Sequence, residues 1–344
     1  MRAIVAHAAK DLRVESVKIG ELGPRDIRVR IQAGGICGSD LHYYNHGGFG
    51  IVRLKQPMVL GHEIAGTVEA VGVEATRIKV GDRVAVSPSR PCNHCRYCLE
   101  GRQNQCLNML FYGSAMRFPH VQGAFREVLV CEERQAHVVA DGVSIGEAAM
   151  AEPLAVCLHG ARRAGPLLGK RVLITGSGPI GALAVIAARR AGAAEIVITD
   201  VADGALGFAA KVGADRTINI AGETDALKPY AADKGAFDVM FEASGNEAAL
   251  RDGLDVVRPG GIIVQLGLGG EMKLPMNTIV AKELELRGTF RFHEEFALAV
   301  ALIGKGLVNV KPLISATLPF TSATEAFELA NDRRQSMKVQ LAFE

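Results

Sequence analysis

The sequence predicts an α/β protein in two parts, an all-β, barrel-like part followed by a doubly wound parallel sheet. Up to about residue 150, glycine, proline and aspartate interrupt short runs such as AIVAH, IAGTVEAVG and DRVAVSP, which is typical of short strands. Beyond residue 154, apolar strand-like runs alternate with alanine-rich helical segments, the pattern of βαβ units. A chain of 344 residues also exceeds the usual size of one hydrophobic core, so two domains are expected.

Composition excludes several classes of protein. The 39 basic and 37 acidic residues leave a net charge of +2, without the basic face that nucleic-acid binding requires. The most apolar run, ALAVIAARRAGAAEIVI, is interrupted by Arg189, Arg190 and Glu195, which argues against a membrane span. Charges within the first ten residues argue against a signal peptide. We therefore expect a soluble, cytoplasmic protein that binds neither nucleic acid nor membrane.

A polar segment, PCNHCRYCLEGRQNQC, carries four closely spaced cysteines: Cys92, Cys95, Cys98 and Cys106. The chain has seven cysteines, an odd number in an expected reducing compartment, so metal binding is favoured over disulfides. Four thiolates saturate tetrahedral zinc and leave no open position, which predicts a structural zinc site. An iron–sulfur cluster is the alternative for such spacing.

A second metal site is predicted from the run PMVLGHEIAGTV, where His62 and Glu63 interrupt apolar residues. Burying an unpaired carboxylate is costly, so either this pair lies at a solvated turn or an interior cation neutralises it. Cys37 in GGICGSD and Glu152 in AEPLAV supply further donors. A Cys, His and carboxylate set with one open position suits a catalytic zinc. Each residue alone also has an ordinary structural interpretation, as a core thiol, a strand-end histidine or a helix-terminal acid.

The stretch TGSGPIG follows the strand-like RVLIT and opens an alanine-rich helix, which is the context of a dinucleotide-binding turn. Such glycines let the backbone approach a pyrophosphate at the helix N-terminus. Asp200 ends the next strand, where a carboxylate accepts the ribose hydroxyls of NAD and repels the 2′-phosphate of NADP, so NAD is favoured with NADP as the alternative. The predicted cofactor residues of this turn are Gly176, Gly178, Pro179, Ile180 and Gly181.

The motifs CGSDLHYY, GHE, the four-cysteine segment, EPL and GSGPIG, in this order, resemble those of the zinc-containing medium-chain dehydrogenases over essentially the whole chain. Within that family the sequence resembles the sorbitol and polyol dehydrogenase branch. The resemblance implies a GroES-like domain of residues 1–153 and 291–344 with both zinc sites, and a Rossmann domain of residues 154–290 that binds NAD. It also implies a homodimer or homotetramer.

What the resemblance implies chemically is reversible oxidation of a secondary alcohol, with hydride passing to the nicotinamide. Zinc serves as Lewis acid and is held by Cys37, His62 and Glu152. Glu63 either ligates the zinc directly or stands behind it. Ser39 and His42 form the implied proton relay, and a water molecule held by Glu152 is the alternative carrier. From the residues alone, Ser39 and His42 equally suit a plain turn, and Asp40 is expected to cap the helix that follows Ser39.

Substrate contacts are also implied by the resemblance, through Tyr43 and Arg291. Several stretches, among them FYGSAMRFPHVQGAF and RGTFRFHEEF, are similar to a sugar-acid dehydrogenase of the branch. A substrate carboxylate favours a bidentate cation; Arg291 is the main candidate, while Arg117 and His120 are expected to lie in an exposed loop. The Gly-rich run VQLGLGG, which includes Leu266, is expected to meet the nicotinamide amide or simply to form a turn.

Alternatives remain open at the sequence level. Neutral polyols such as sorbitol, xylitol and galactitol, and L-threonine, are alternative substrates. A catalytically inactive zinc- and nucleotide-binding regulator would retain the fold, but we expect it to have lost Cys37, His62 or Ser39, and this chain retains all three. A zinc-ribbon DNA binder is disfavoured by the near-neutral charge.

Overall fold

The computed structural model of the chain describes residues 1–223 and 225–343; Glu344, the end of the predicted catalytic segment, lies outside them. The strands are β1 Arg2–Ala8, β2 Asp11–Ser16, β3 Asp26–Gly35, β4 Gly48–Phe49, β5 Val52–Arg53, β6 Met58–Val59, β7 Glu63–Val71, β8 Arg83–Val86, β9 Ser89–Arg90, β10 Leu110–Phe111, β11 Val128–Glu132, β12 Ala136–Val138, β13 Arg171–Thr175, β14 Glu195–Asp200, β15 Arg216–Asn219, β16 Phe237–Glu242, β17 Val257–Gln265, β18 Glu285–Gly288, β19 Ile314–Pro319 and β20 Lys338–Ala342. The α-helices are α1 Gly38–His46, α2 Arg96–Leu99, α3 Ile145–Ala149, α4 Ala151–Ala164, α5 Pro179–Arg190, α6 Asp203–Lys211, α7 Glu247–Val256, α8 Met276–Ala281, α9 Glu295–Gly304 and α10 Ala323–Asn331.

The second half of the chain forms a parallel six-stranded sheet with the order β15-β14-β13-β16-β17-β18. Numbered along the chain this is 3-2-1-4-5-6, the order of a doubly wound dinucleotide-binding sheet. Its inner strands are buried on both faces, which accounts for the continuous apolar run from Val172 to Ile174 in β13. The order reverses between β13 and β16, and the crevice at this switch point is where such sheets bind ligands.

The first half builds a mainly antiparallel sheet with the order β12-β8-β7-β3-β20-β19, and β11 also pairs with β3. The last two strands, β19 and β20, come from the C-terminal end of the chain and join this sheet through β3. Buried residues of these strands form one apolar cluster that includes Ile27, Phe125 and Leu341. The predicted fold class, a β-domain with a doubly wound parallel sheet, is confirmed.

Helix α4 connects the two parts, since its residues share one apolar cluster with the parallel sheet, α3 and α9. Helix α9 packs in this cluster through Phe296 and Ala299, whereas β19 begins the return to the first sheet at Ile314. The domain boundaries given above remain predictions. Within the described part of the chain, no helix combines the length and apolarity that crossing a membrane demands.

Candidate active site

Three predicted metal ligands meet between the two parts of the molecule. Cys37 is the N-cap of α1, His62 lies in the turn before β7, and Glu63 is the first residue of that strand. Their ligand atoms all lie within 4.8 Å of one another. Both His62 and Glu63 are buried, at 4% and 1% exposure. The solvated-turn alternative is therefore wrong, because the strands on either side carry the pair into the interior.

Glu63 has a partner that sequence analysis did not identify. Lys338, the first residue of β20, donates to both Glu63 carboxylate oxygens at 2.8 Å and to the Ile36 carbonyl at 3.1 Å. No local spacing signals this pair, because the two residues are 275 positions apart. Lys338 therefore balances the charge of Glu63 in the interior, since its ammonium reaches both carboxylate oxygens.

Glu152, the second residue of α4, is buried beside this cluster but is not part of it. Burial is the main cause that raises the pKa of Glu152 to about 8; Glu63 and Cys37 add to the effect and His62 opposes it. Burial, with Glu63 second, also raises the pKa of the Cys37 thiol to about 12. Two carboxylates and a thiol are thus buried close together with one ammonium, that of Lys338, among them, and a divalent cation would neutralise the remaining negative charge.

His62 supplies a direct test of whether these residues fit a metal. Its Nδ1 is buried without a hydrogen-bond partner among the described residues. The nearest carboxylate, Asp40 Oδ2, is 3.9 Å from this nitrogen, too long for a hydrogen bond. A buried, unpaired imidazole nitrogen next to a thiol and a carboxylate is what an open zinc site requires.

Asp40 caps helix α1, as expected, but from within the helix. The helix begins at Gly38 rather than after Ser39, and Asp40 is its third residue, wholly buried. Its carboxylate accepts from the backbone amides of Cys37 at 3.1 Å and Gly61 at 3.0 Å. Asp40 thus ties the turn that carries Cys37 to the turn that precedes His62.

The four-cysteine segment forms a compact lobe around α2. All four sulfur atoms lie within 4.8 Å of one another, and the Cys95–Cys98 and Cys92–Cys106 sulfur pairs are each 3.5 Å apart. Backbone amides point at these sulfurs, those of Cys92 and Asn108 reaching Cys106 Sγ at 3.2 and 3.3 Å. The amide of His94 is the main cause that lowers the pKa of Cys92 to about 6. This arrangement fits a tetrahedral thiolate site, and all seven cysteines are free of disulfides.

The glycine turn has the geometry that a dinucleotide site needs. Gly176 has φ = 88°, a conformation that side chains disfavour, and a Cβ on Gly181 would overlap the Gly176 carbonyl oxygen. Pro179 is the first residue of α5, so Gly178 and Ile180 flank the helix start. The Asp200 carboxylate accepts from the Ser177 amide at 2.6 Å and from the amides of the turn after β14. One cavity of about 230 Å³ runs along this turn to Cys37 and Glu63.

Arg291 lies on the other side of the metal cluster, in a left-handed conformation with φ = 55°. Its guanidinium stacks 4.1 Å above the Phe111 ring, and the same ring lies 5.4 Å from His62. Burial lowers the pKa of Arg291 to about 10, opposed by the nearby Glu152 and Tyr43. Phe111, which sequence analysis missed, therefore connects the metal cluster to Arg291; its only local signal was an apolar residue after the cysteine lobe.

Tyr43 is 2% exposed, and its hydroxyl accepts from the Ala115 amide at 3.0 Å. His120 corrects an expectation: it is buried at 6% exposure, and its Nε2 accepts from the Lys55 amide at 2.8 Å, while Nδ1 donates to the Arg117 carbonyl. Because both ring nitrogens bond to backbone groups of neighbouring loops, His120 is neither exposed nor free to bind a substrate. Arg117 is exposed, as expected, and donates to the Asn108 carbonyl.

The remaining predicted residues lie around the cleft. Ser39 is the second residue of α1, and its amide donates to the Cys37 sulfur. His42 lies on the same helix with part of its ring exposed to solvent. Partial burial of the ring is the main cause that lowers its pKa, and His46 and Arg333 add to the effect. Leu266 donates its amide to the Glu242 carbonyl at 2.8 Å, so that amide is not free for a cofactor.

The fold, the cysteine lobe and the glycine turn define a zinc-dependent, dinucleotide-using oxidoreductase. Residues 23–141 match the family model of the alcohol dehydrogenase GroES-like domain, and residues 179–305 match that of zinc-binding dehydrogenase. The chain belongs to the zinc-binding dehydrogenases. It is an NAD(P)-dependent zinc enzyme that acts on CH–OH groups of small molecules.

Individual relatives cover nearly the whole chain. L-idonate 5-dehydrogenase (NAD(P)(+)) of Escherichia coli K12 is 46% identical over 316 residues, which is 92% of this chain and 91% of the relative. The crystal structure of L-idonate 5-dehydrogenase from E. coli K-12 MG1655 superposes with a TM-score of 0.94 at 44% identity, covering 99% of this chain and 98% of that one. Sorbitol dehydrogenase of Gallus gallus is 38% identical over 343 residues, 98% of this chain and 95% of the relative.

Proposed function

We propose that the chain oxidises the secondary hydroxyl of a sugar acid, L-idonate, to the ketone 5-keto-D-gluconate, with reduction of NAD or NADP. Similarity to L-idonate 5-dehydrogenase over 92% of the chain supports this substrate. The observation that carries the proposal within the chain itself is Arg291. Its cation lies beside Tyr43 and Glu152 at the metal cluster, where a substrate carboxylate can pair with it.

The stacking of Arg291 on Phe111 and Phe290 suits this role. A guanidinium stacked on aromatic rings loses little conformational freedom when a carboxylate binds, and the one side-chain acceptor that Arg291 already has among the described residues, the Met116 sulfur at 3.2 Å, is a weak one. Tyr43, whose hydroxyl already accepts from Ala115, retains its own proton to donate to a sugar hydroxyl. Together Arg291 and Tyr43 would orient the substrate with its reacting carbon toward the nicotinamide.

Cys37 and His62 would hold the catalytic zinc, and Glu152, which is buried beside them, would complete the protein ligands. Glu63 would stand behind the metal, bonded to Lys338. When bound, zinc supplies Lewis acidity that lowers the pKa of the reacting hydroxyl. Ser39, next to Cys37, would receive the hydroxyl proton at Oγ, and His42 would pass it to solvent from its exposed ring. A water molecule held by Glu152 is the alternative carrier of that proton.

The dinucleotide would lie along the glycine turn, with its pyrophosphate at the start of α5 and its adenosine ribose at Asp200. Gly176, Gly178 and Gly181 permit that approach, and Pro179 and Ile180 form the first turn of the helix. Because the amide of Leu266 is already bonded, its carbonyl would be the group that meets the nicotinamide amide. Cys92, Cys95, Cys98 and Cys106 would hold the structural zinc.

The same proposal includes a homo-oligomer, a dimer or tetramer, in the cytoplasm. Strand β18 is an edge of the parallel sheet, and apolar residues beside that edge are well exposed: Leu286 at 47%, Met276 at 59% and Val280 at 71%. An open edge flanked by apolar surface is suited to pairing with a second copy. Sedimentation velocity of wild type and Leu286→Lys tests this, since the variant should shift to monomer.

The proposed location in the cytoplasm is supported by the cysteines, because seven cysteines without a disulfide suit a reducing compartment.

The decisive experiment is NAD(P) reduction by the zinc-loaded enzyme with L-idonate, D-gluconate, sorbitol, xylitol, galactitol and L-threonine. We expect turnover on L-idonate. Arg291→Ala should raise the KM for L-idonate by about 100-fold, because the loss of a charge-assisted bidentate contact costs about 3 kcal/mol. Arg117→Ala, an exposed arginine bonded to a backbone carbonyl, is the matched control. Turnover restricted to neutral polyols would instead favour a sorbitol-type enzyme and would overturn the sugar-acid proposal.

A further inference from the structure

The cofactor cleft contains a cation that comes from the far end of the chain. Arg333, just beyond α10, lines the same 230 Å³ cavity as Gly176, Gly178 and Asp200. It lies 133 positions after Asp200, so no motif links them. The side chain is exposed, and among the described residues no carboxylate forms an ion pair with it.

The turn that carries Arg333 is held in place by its own hydrogen bonds. The Asp332 carboxylate accepts from the Arg334 amide at 3.0 Å and from the Gln335 side chain at 2.6 Å. The Asp332 carbonyl accepts from the amides of Gln335 and Ser336, and the Ser336 hydroxyl donates to the Leu329 carbonyl at 2.7 Å. Arg333 therefore projects from an organised turn rather than from a free tail.

The same turn is packed against the nucleotide-binding sheet. A Cβ on Gly204, the second residue of α6, would lie 2.5 Å from the Arg334 carbonyl oxygen. This close approach places residues 332–335 over the start of α6, directly after Asp200. The turn thus bridges from the C-terminal segment to the wall of the cofactor cleft.

The charges around the cavity identify what Arg333 can bind. Four charged residues line it: Glu63, Asp200, Arg333 and Lys338. Lys338 is neutralised by Glu63, and the Asp200 carboxylate is bonded to three backbone amides. Arg333 is the cation that remains uncompensated among the described lining residues. Its charge also reaches His42 at the nicotinamide end, where it is the third cause, after burial and His46, of the lowered pKa of that ring.

We propose that Arg333 binds the pyrophosphate of the dinucleotide, clamping it against the start of α5 from the opposite side of the cleft. The position between the glycine turn and His42 corresponds to the middle of an extended dinucleotide, whose diphosphate is its most acidic part. A guanidinium matches phosphate oxygens in bidentate geometry. Because NAD and NADP share the pyrophosphate, Arg333 would serve both cofactors equally. The inference rests on the cofactor placement proposed above and is independent of the alcohol substrate.

The test is binding of NADH and NADPH, by fluorescence, and of ADP-ribose, by calorimetry, to the zinc-loaded protein. Arg333→Gln should raise all three dissociation constants by about tenfold, and it should lessen the dependence of binding on salt concentration. Arg333→Lys should recover part of the loss. Arg334→Gln removes the same charge from the same turn, but its side chain does not line the cavity, so it should bind as wild type.

Four results would overturn the inference. A loss confined to NADPH would assign Arg333 to the 2′-phosphate, and an equal loss in Arg334→Gln would reduce the effect to the net charge of the turn. Unchanged binding in Arg333→Gln would exclude the contact altogether, provided that wild type binds NADH. Failure of wild type to bind any of the three ligands would overturn the cofactor placement itself and the inference with it.

Discussion

The ammonium of Lys338 lies 2.8 Å from both carboxylate oxygens of Glu63, and both side chains are almost completely buried, at 2% and 1% exposure. The pair joins the last strand of the chain to the strand that follows the metal cluster. Removing one partner of a buried pair leaves an uncompensated charge in the interior, which is far more costly than removing both.

We therefore expect Lys338→Met to destabilise the protein by roughly 3–5 kcal/mol, and Lys338→Met/Glu63→Gln to recover much of that loss. Denaturant unfolding of the zinc-loaded proteins measures both effects. Equal stability of the single and double variants would show that the charge on Glu63 is balanced by something other than Lys338.

The cysteine lobe predicts a specific change in metal content. Cys98→Ser removes one buried sulfur of the proposed structural zinc site, and we expect the variant to lose one equivalent of zinc and several degrees of thermal stability. Cys131→Ser is the matched control, because Cys131 is buried in β11 away from either cluster. Elemental analysis after gel filtration measures the zinc. A Cys98→Ser variant with an unchanged zinc content would contradict the site.

Two glycine-to-alanine changes, one in the glycine turn and one in helix α6, should have different effects. Gly181→Ala places a methyl group on the Gly176 carbonyl, so the turn must open and NADH binding should weaken at least tenfold. Gly207→Ala, in α6, meets no atom within 4 Å, and it should stabilise the protein by about 0.5–1 kcal/mol through helix propensity. Fluorescence titration with NADH and thermal unfolding distinguish the two. Normal cofactor binding by Gly181→Ala would be inconsistent with the close contact.

Glu295 predicts an acid-dependent contribution to stability. Burial raises the pKa of this carboxyl, but the hydrogen bonds from His159, at 3.0 Å, and from the His293 amide more than offset burial and lower the pKa from its ordinary 4.5 to about 2. A pKa that folding depresses stabilises the protein above the unfolded pKa, and this stabilisation is lost as the pH falls from about 4.5 toward 2.

Glu295→Gln should accordingly lower the free energy of unfolding by on the order of 2–3 kcal/mol at neutral pH, with the difference from wild type shrinking below pH 4.5. Glu294→Gln is the control, since its carboxylate is 72% exposed and its pair with Arg162 contributes little. Urea unfolding between pH 3 and 7 provides the measurement. A pH-independent difference would mean that Glu295 acts through packing rather than through its charge.

Local patterns in the sequence were enough to predict those features that neighbouring residues build by themselves. The C-x2-C spacing brings four cysteine sulfurs together in one lobe, and TGSGPIG after RVLIT forms a turn between a strand and a helix, because each step is set by a few consecutive dihedral angles. The alternation of strand and helix likewise predicts the parallel sheet. The sequence also predicts Cys37, His62 and Glu63 as one set of donors, but their placement within 4.8 Å of one another follows from the pairing of β3 with β7, which puts Gly35 opposite Glu63.

The tertiary structure alone decided the partners that come from distant segments. Lys338 reaches Glu63, Arg333 reaches the cofactor cleft, and Phe111 lies between His62 and Arg291, although none of these contacts has a local signal. The sequence predicts an exposed loop at His120, but the ring is buried because two backbone groups occupy its nitrogens. The physical reason is common to all four: spacing along the chain determines short-range geometry, whereas contacts between distant segments depend on how those segments pack against one another. For Lys338 this is the pairing of β20 with β3.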